Sequence, residues 1–189
     1  MAYPLSRVLE APAAAAEHLL HARTVYGVEQ ATGRTGPGGA ALLELTLRPL
    51  PALERESYPT ERVRIIIRPD RSVHTFPLDS ADRAFKHRNP PPVRDLCLQY
   101  PYDDAALRWV PEDGLDPLVT LIHRHLLYEE AWRRTGIWPA EDAPHGQPTH
   151  GTHPLRMAET QQEARRWTRQ PSARPRRSPP LRRLWPSSS

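Results

Sequence analysis

Leu43, Leu45 and Leu47 alternate with Glu44, Thr46 and Arg48, and Val63, Ile65 and Ile67 alternate with Arg62, Arg64 and Arg68. A period of two puts every second side chain on one face, the mark of a half-buried strand. Pro69-Asp70-Arg71-Ser72 follows the second run. It has turn chemistry, because proline presets φ and aspartate bonds the backbone ahead of it. Val73 to Phe76 is therefore read as a returning third strand, and the set as an antiparallel meander. Upstream, Pro12 suits the first turn of a helix, and the alanine-rich run to about Arg23 has high helix propensity. One short amphipathic helix is predicted there. Thr32 to Ala40, rich in glycine and proline, predicts a loop.

Downstream of the strands the pattern changes twice. Between Pro77 and Tyr102 regular structure is not expected, since Pro90-Pro91-Pro92 forbids a helix and offers no ladder donors. Then Leu118, Val119, Ile122 and Leu126 fall at helical spacing behind Asp116 as N-cap and Pro117 as the first helical residue. Arg133 and Arg134 suit the negative end of the helix dipole, and Gly136 closes the pattern. A helix over about 117–134 is predicted, its apolar stripe lying across the sheet. The expected fold class is α+β: an N-terminal helix, an antiparallel meander, an irregular segment and a long crossover helix on the sheet.

Length and composition fit one core and an appendage: 189 residues, 38% of them hydrophobic. From Gly146 onward nine arginines stand against Glu159 and Glu163, a net of +7, so the overall +4 leaves the first 145 residues at −3. Residues 146–189, rich in Pro, Ser, Arg and Gln, are expected to be a disordered tail after a domain spanning 1–145. The basic balance belongs to that tail, so nucleic-acid binding is expected at most through it. Arg7, Glu10 and Glu17 interrupt any signal-like apolar run near the start, and no stretch has the length of a membrane span. The expectation is a cytoplasmic protein without membrane contact. His145, His150 and His153 lack a thiolate or carboxylate spaced to complete a metal site, so no metal or cofactor is implied.

The chain has one cysteine, Cys97, ten residues after His87 and eight after Asn89. A lone cysteine excludes an internal disulfide and a Cys-rich zinc site; by itself it favours an inert packed thiol. Its surroundings favour chemistry. His87-x-Asn89, seven residues, then Cys97-Leu98 resembles the active-site segment of ubiquitin-conjugating enzymes, and Trp109-Val110-Pro111 is similar to the Trp-x-Pro that leads into their crossover helix. Tyr128-Glu129, Trp132 to Pro139 and Ala143-Pro144-His145-Gly146 resemble the ending of bacterial members of that superfamily. Arg88 stands where the family's motif has proline, and the interval from Cys97 to Trp109 is longer than in eukaryotic members.

The resemblance implies the ubiquitin-conjugating fold over roughly residues 8–145 and a cysteine aminoacyltransferase activity. Cys97 would accept a ubiquitin-like modifier as a thioester from an adenylating enzyme and pass it to a target protein, in bacteria often within an antiphage defence operon. Cysteine suits both halves, because its thiolate attacks well and leaves well. By the same resemblance Asn89 serves as an oxyanion donor or as loop support, and His87 as a loop scaffold. Asp103, Asp104, Asp142 and His145 are candidates for guiding the acceptor, with Asp142 and His145 preferred because they lie in the bacterial-like ending. Two alternatives remain open: a non-catalytic binding or scaffold protein of the same fold, and a nucleic-acid-binding protein driven by the tail.

Overall fold

Ala41, Leu43, Leu45 and Leu47 are buried, as are Glu61, Val63, Ile65 and Ile67, while the positions between them reach solvent at least in part. In the computed structural model, which describes residues 2–79, 83–99 and 108–140, these runs are β2 (Ala41–Leu47) and β3 (Glu61–Ile67). They pair antiparallel with Leu43 opposite Ile65 and Leu45 opposite Val63, so the apolar sets meet on one face. The turn behind β3 forms as its chemistry demands: the Asp70 carboxylate accepts from the Ser72 N–H at 2.9 Å and from its hydroxyl at 2.7 Å. β4 (Val73–Pro77) returns beside β3. A short helix, α3 (Pro51–Arg55), bridges β2 and β3.

The loop predicted over Thr32 to Ala40 is corrected in its first part. Residues Val28–Thr35 form β1, paired antiparallel to β2 from Val28 opposite Leu47 to Thr35 opposite Ala41. The sheet is a four-stranded antiparallel meander in the order β1-β2-β3-β4. β1 is an edge strand with no fully buried residue, so the alternation that marks β2 and β3 is absent from it; the β2 ladder rather than side-chain patterning makes it a strand.

The helix predicted from Pro12 forms as α2 (Pro12–His21), and a further short helix that the pattern did not predict, α1 (Leu5–Glu10), precedes it across Ala11. The pyrrolidine of Pro12 pushes the preceding residue out of the helical region, and Ala11 sits at φ −142°, ψ 73°. α2 lies against β1 at Gly33, where a Cβ would run into the Pro12 carbonyl.

The long helix α4 spans Leu115–Thr135. Its predicted stripe of Leu118, Val119, Ile122 and Leu126 is buried in one core with Leu5, Val8, Leu19 and the inward residues of β2 and β3. Gly136 closes the helix in the left-handed conformation, φ 73°, its N–H bonded to the Trp132 carbonyl at 2.7 Å. The predicted start differs. Gly114, at φ 85°, occupies the N-cap position and packs against the Tyr3 carbonyl, which accepts the Leu115 N–H at 2.8 Å. Asp116 lies inside the first turn instead, where its carboxylate accepts from the Thr24 hydroxyl at 2.7 Å and sits 2.8 Å from the His18 Nε2. Tertiary partners in the α2 region outcompete the local capping role.

The molecule is thus α+β, a four-stranded antiparallel sheet with helices on one face. Among the described residues no helix is long and apolar enough to cross a membrane. Residues 146–189 lie outside the described residues. Gly33→Ala is expected to lower stability by about 1–3 kcal/mol, because the added methyl forces α2 off β1; urea denaturation should show a lower midpoint at an unchanged slope.

Candidate active site

Residues 83–87 meet the second half of α4, through Arg83, Lys86 and His87. His87 is buried, 4% exposed, with its ring 4.2 Å from that of Trp138 and edge-on to His125 at 6.2 Å. Its backbone is held from α4 by a single carboxylate. Glu129, 0% exposed, accepts the His87 N–H through Oε1 at 2.7 Å and the Lys86 N–H through Oε2 at 2.8 Å. The His125 Nε2 lies 3.5 Å from Oε1, one helical turn away. Burial by itself would raise this carboxyl. The His125 ring and the two backbone donors outweigh it, and Glu129 stays below the ordinary glutamate value.

Beside this clamp runs an ion-pair network. Arg83 reaches Glu61 at the start of β3 at 2.8 Å and Glu130 of α4 at 3.0 Å, and Arg133 joins Glu130 at 2.9 Å. Burial raises the Glu61 carboxyl despite Arg83 and Arg133. Glu130, more exposed, is held low: desolvation acts against ionisation, but Arg134 and Arg133 prevail. The network ties the entry of the loop to both sheet and helix.

Beyond His87 the chain folds back as a short hairpin. The Cys97 N–H donates to the His87 carbonyl at 2.9 Å and the Asn89 N–H to the Asp95 carbonyl at 2.9 Å, while Arg88 and Leu96 form an isolated antiparallel bridge. At the tip Arg94 takes a positive φ of 57°, and its carbonyl accepts the Arg88 Nε–H at 2.6 Å. The returning arm is fixed to the sheet: the Leu96 N–H donates to the Thr75 carbonyl of β4 at 2.8 Å, and the Leu96 side chain joins the core. Tri-proline carries no N–H, so it enters the hairpin only as an acceptor, the Pro90 carbonyl taking the Arg94 N–H at 3.4 Å.

Cys97 is partly exposed, its Sγ 3.9 Å from the Gln99 carbonyl oxygen. Gln99 bridges to the far side of the next segment, its amide accepting the Trp109 N–H at 2.8 Å and donating to the Trp109 carbonyl at 3.1 Å. The Trp109 indole N–H in turn donates to the Gly114 carbonyl at 2.9 Å, so the start of α4 is fastened to the segment that carries the cysteine.

The structure therefore brings His87, Asn89 and Cys97 onto one hairpin. Asn89 Nδ2 donates to the Asp95 carboxylate at 2.8 Å. Asp142 and His145 lie outside the described residues, as do Asp103 and Asp104. Asp95, His74 and Gln99 had no role in the sequence reading, and Glu129 entered it only within the Tyr128-Glu129 pair of the resemblance. Glu129 had a signal: it continues the stripe of Ile122 and Leu126 at helical spacing, and a carboxylate on a core face requires donors. Among the described residues no group of three or more His, Cys, Asp or Glu side chains is placed to hold a metal ion. No protein-family model matches the chain, and no curated protein matches it.

Glu129→Ala removes the carboxylate that accepts the Lys86 and His87 N–H groups and is expected to cost about 3 kcal/mol, with faster amide exchange at Lys86 and His87. The pH dependence has a definite sign. A carboxyl held below its unfolded value stabilises fully above about pH 4.3, and that stability disappears as pH falls through the lowered folded value. Urea titrations between pH 2 and 7 should show a shallower acid loss in Glu129→Gln than in the natural chain.

Proposed function

We propose that this chain is a ubiquitin-conjugating-like acyl carrier of the ubiquitin-conjugating fold, with Cys97 as the nucleophile. The observation that carries the reading is the placement of a partly exposed Cys97 on a closed hairpin with His87 and Asn89. That hairpin stands between an antiparallel meander and a long helix, the order of elements that the sequence resemblance implies. In the first step the Cys97 thiolate attacks the carbonyl of a ubiquitin-like modifier held as a thioester on an adenylating enzyme. The tetrahedral oxyanion collapses with release of that enzyme's thiolate, which takes up the proton that Cys97 gave up. In the second step an acceptor nucleophile on the target attacks the Cys97 thioester, forms its own bond to the carbonyl carbon and expels the Cys97 thiolate, which recovers the acceptor's proton.

The hairpin suits this chemistry physically. A thioester carrier has to present sulfur to two large partners in turn, so a surface segment fixed by the fold from both sides serves better than a pocket. Asn89 is the side-chain donor on the same hairpin. One of its amide N–H groups is taken by Asp95, and among the described residues no other protein group bonds that amide. The second N–H is the group that would meet an oxyanion.

Incubation with cognate adenylating enzyme, ATP and modifier should give a reductant-sensitive adduct in the natural chain, a reductant-resistant oxyester in Cys97→Ser and none in Cys97→Ala. No adduct with those partners, or an adduct surviving in Cys97→Ala, would sink the reading. Asn89→Ala is expected to slow discharge of the loaded thioester on the order of 10²-fold, the equivalent of about 3 kcal/mol for one lost oxyanion donor.

A further inference from the structure

Asn89 does not set its own orientation. An amide presents an oxygen at one end and a nitrogen at the other, and only its neighbours decide which end faces where. Here the neighbour is a carboxylate: Asp95 Oδ1 receives Asn89 Nδ2 at 2.8 Å. An ionised carboxylate only accepts, so it admits the nitrogen end and rejects the oxygen. The same two residues are joined through the main chain, Asn89 N–H to the Asp95 carbonyl at 2.9 Å, so side chain and backbone are fixed together.

The carboxylate is anchored in its turn. Asp95 is 6% exposed, and its Oδ2 lies 2.7 Å from His74 Nδ1. His74 belongs to β4, where its backbone partner is Ile66 of β3. Its neighbour Thr75 accepts the Leu96 N–H. Asp95 is therefore seated against a paired strand of the sheet, and both of its oxygens have a partner.

We propose that Asp95, braced by His74, is a positioning residue for the acyl transfer: it holds the Asn89 amide nitrogen-inward and so presets the remaining N–H before any substrate arrives. This rests on the thioester reading for its chemical meaning, while the Asp95 contact itself can be read without a modifier. Neither Asp95 nor His74 need touch the reacting atoms. Preset donors matter because the site then needs no reorganisation as charge develops.

The experiment uses the full chain, loaded at Cys97 with modifier, with two readouts. Discharge to an added amine should slow about 10- to 100-fold in Asp95→Ala. Asp95→Asn should recover most of the rate, since its amide oxygen still accepts from Asn89. Asp95→Ala combined with Asn89→Ala should be no slower than Asn89→Ala alone, because the two act as a unit. Independently, the Asn89 side-chain amide pair in a ¹H–¹⁵N spectrum of the unloaded protein should lose its dispersed shifts in Asp95→Ala and keep them in Asp95→Asn. A multiplicative loss in the double variant, an absence of rescue in a folded Asp95→Asn, or an Asn89 amide indifferent to Asp95→Ala overturns the proposal. If the natural chain never loads at all, the thioester reading fails and the transfer role falls with it, and the amide signature then separates that failure from a misassigned Asp95 contact.

Discussion

A buried carboxylate that accepts two consecutive backbone N–H groups holds the candidate site to the rest of the molecule. Glu129 lies on the core face of α4, removed from solvent, and Lys86 and His87 donate to its two oxygens. Ionised oxygen in low dielectric makes strong bonds and tolerates no vacancy, so the loop cannot drift from the helix without exposing charge to apolar surroundings. The consequence passes along the backbone. His87 is fixed by its N–H to Glu129, and its carbonyl receives the Cys97 N–H.

One clamp would leave a hinge; the hairpin has a second hold on the opposite side. Leu96 is buried in the core and bonds to β4 through Thr75, while Asp95 meets His74 of the same strand. Cys97 follows where these two holds converge. A thiol that is partly exposed while the residues beside it in the hairpin are bound to two elements of the fold can be reached by a partner without wandering from it. The proline run at the tip lies outside both holds; it donates no N–H and adds stiffness, and its Pro90 carbonyl accepts the Arg94 N–H at 3.4 Å.

Much of the scaffold was legible because it obeys local periodicity. The alternation of Leu43, Leu45 and Leu47 and of Val63, Ile65 and Ile67 depends only on a buried face, and the stripe of Leu118, Val119, Ile122 and Leu126 likewise. The Asp70 turn needs nothing beyond four neighbouring residues. What was misread had its cause elsewhere in the chain. β1 is a strand because β2 offers it a ladder. Asp116, a natural cap by its position, is drawn to Thr24 and His18. α1 is only six residues long, too short to leave a helical period of its own, and its Leu5 and Val8 are held by the core.

The sequence by itself determined the meander's central strands, the long helix with its glycine stop, and the clustering of His87, Asn89 and Cys97 within one proline-stiffened segment. Each of these follows from residues a few positions apart. Only the tertiary structure decided what holds that segment. Glu129 stands 42 and 43 positions from the N–H groups it binds, and His74 stands 21 from Asp95. Hydrogen bonds to buried carboxylates leave no period in a sequence: the donors to Glu129 are backbone groups that every residue but proline carries, the partner of Asp95 is a ring on another strand, and folding alone selects which of them a carboxylate meets.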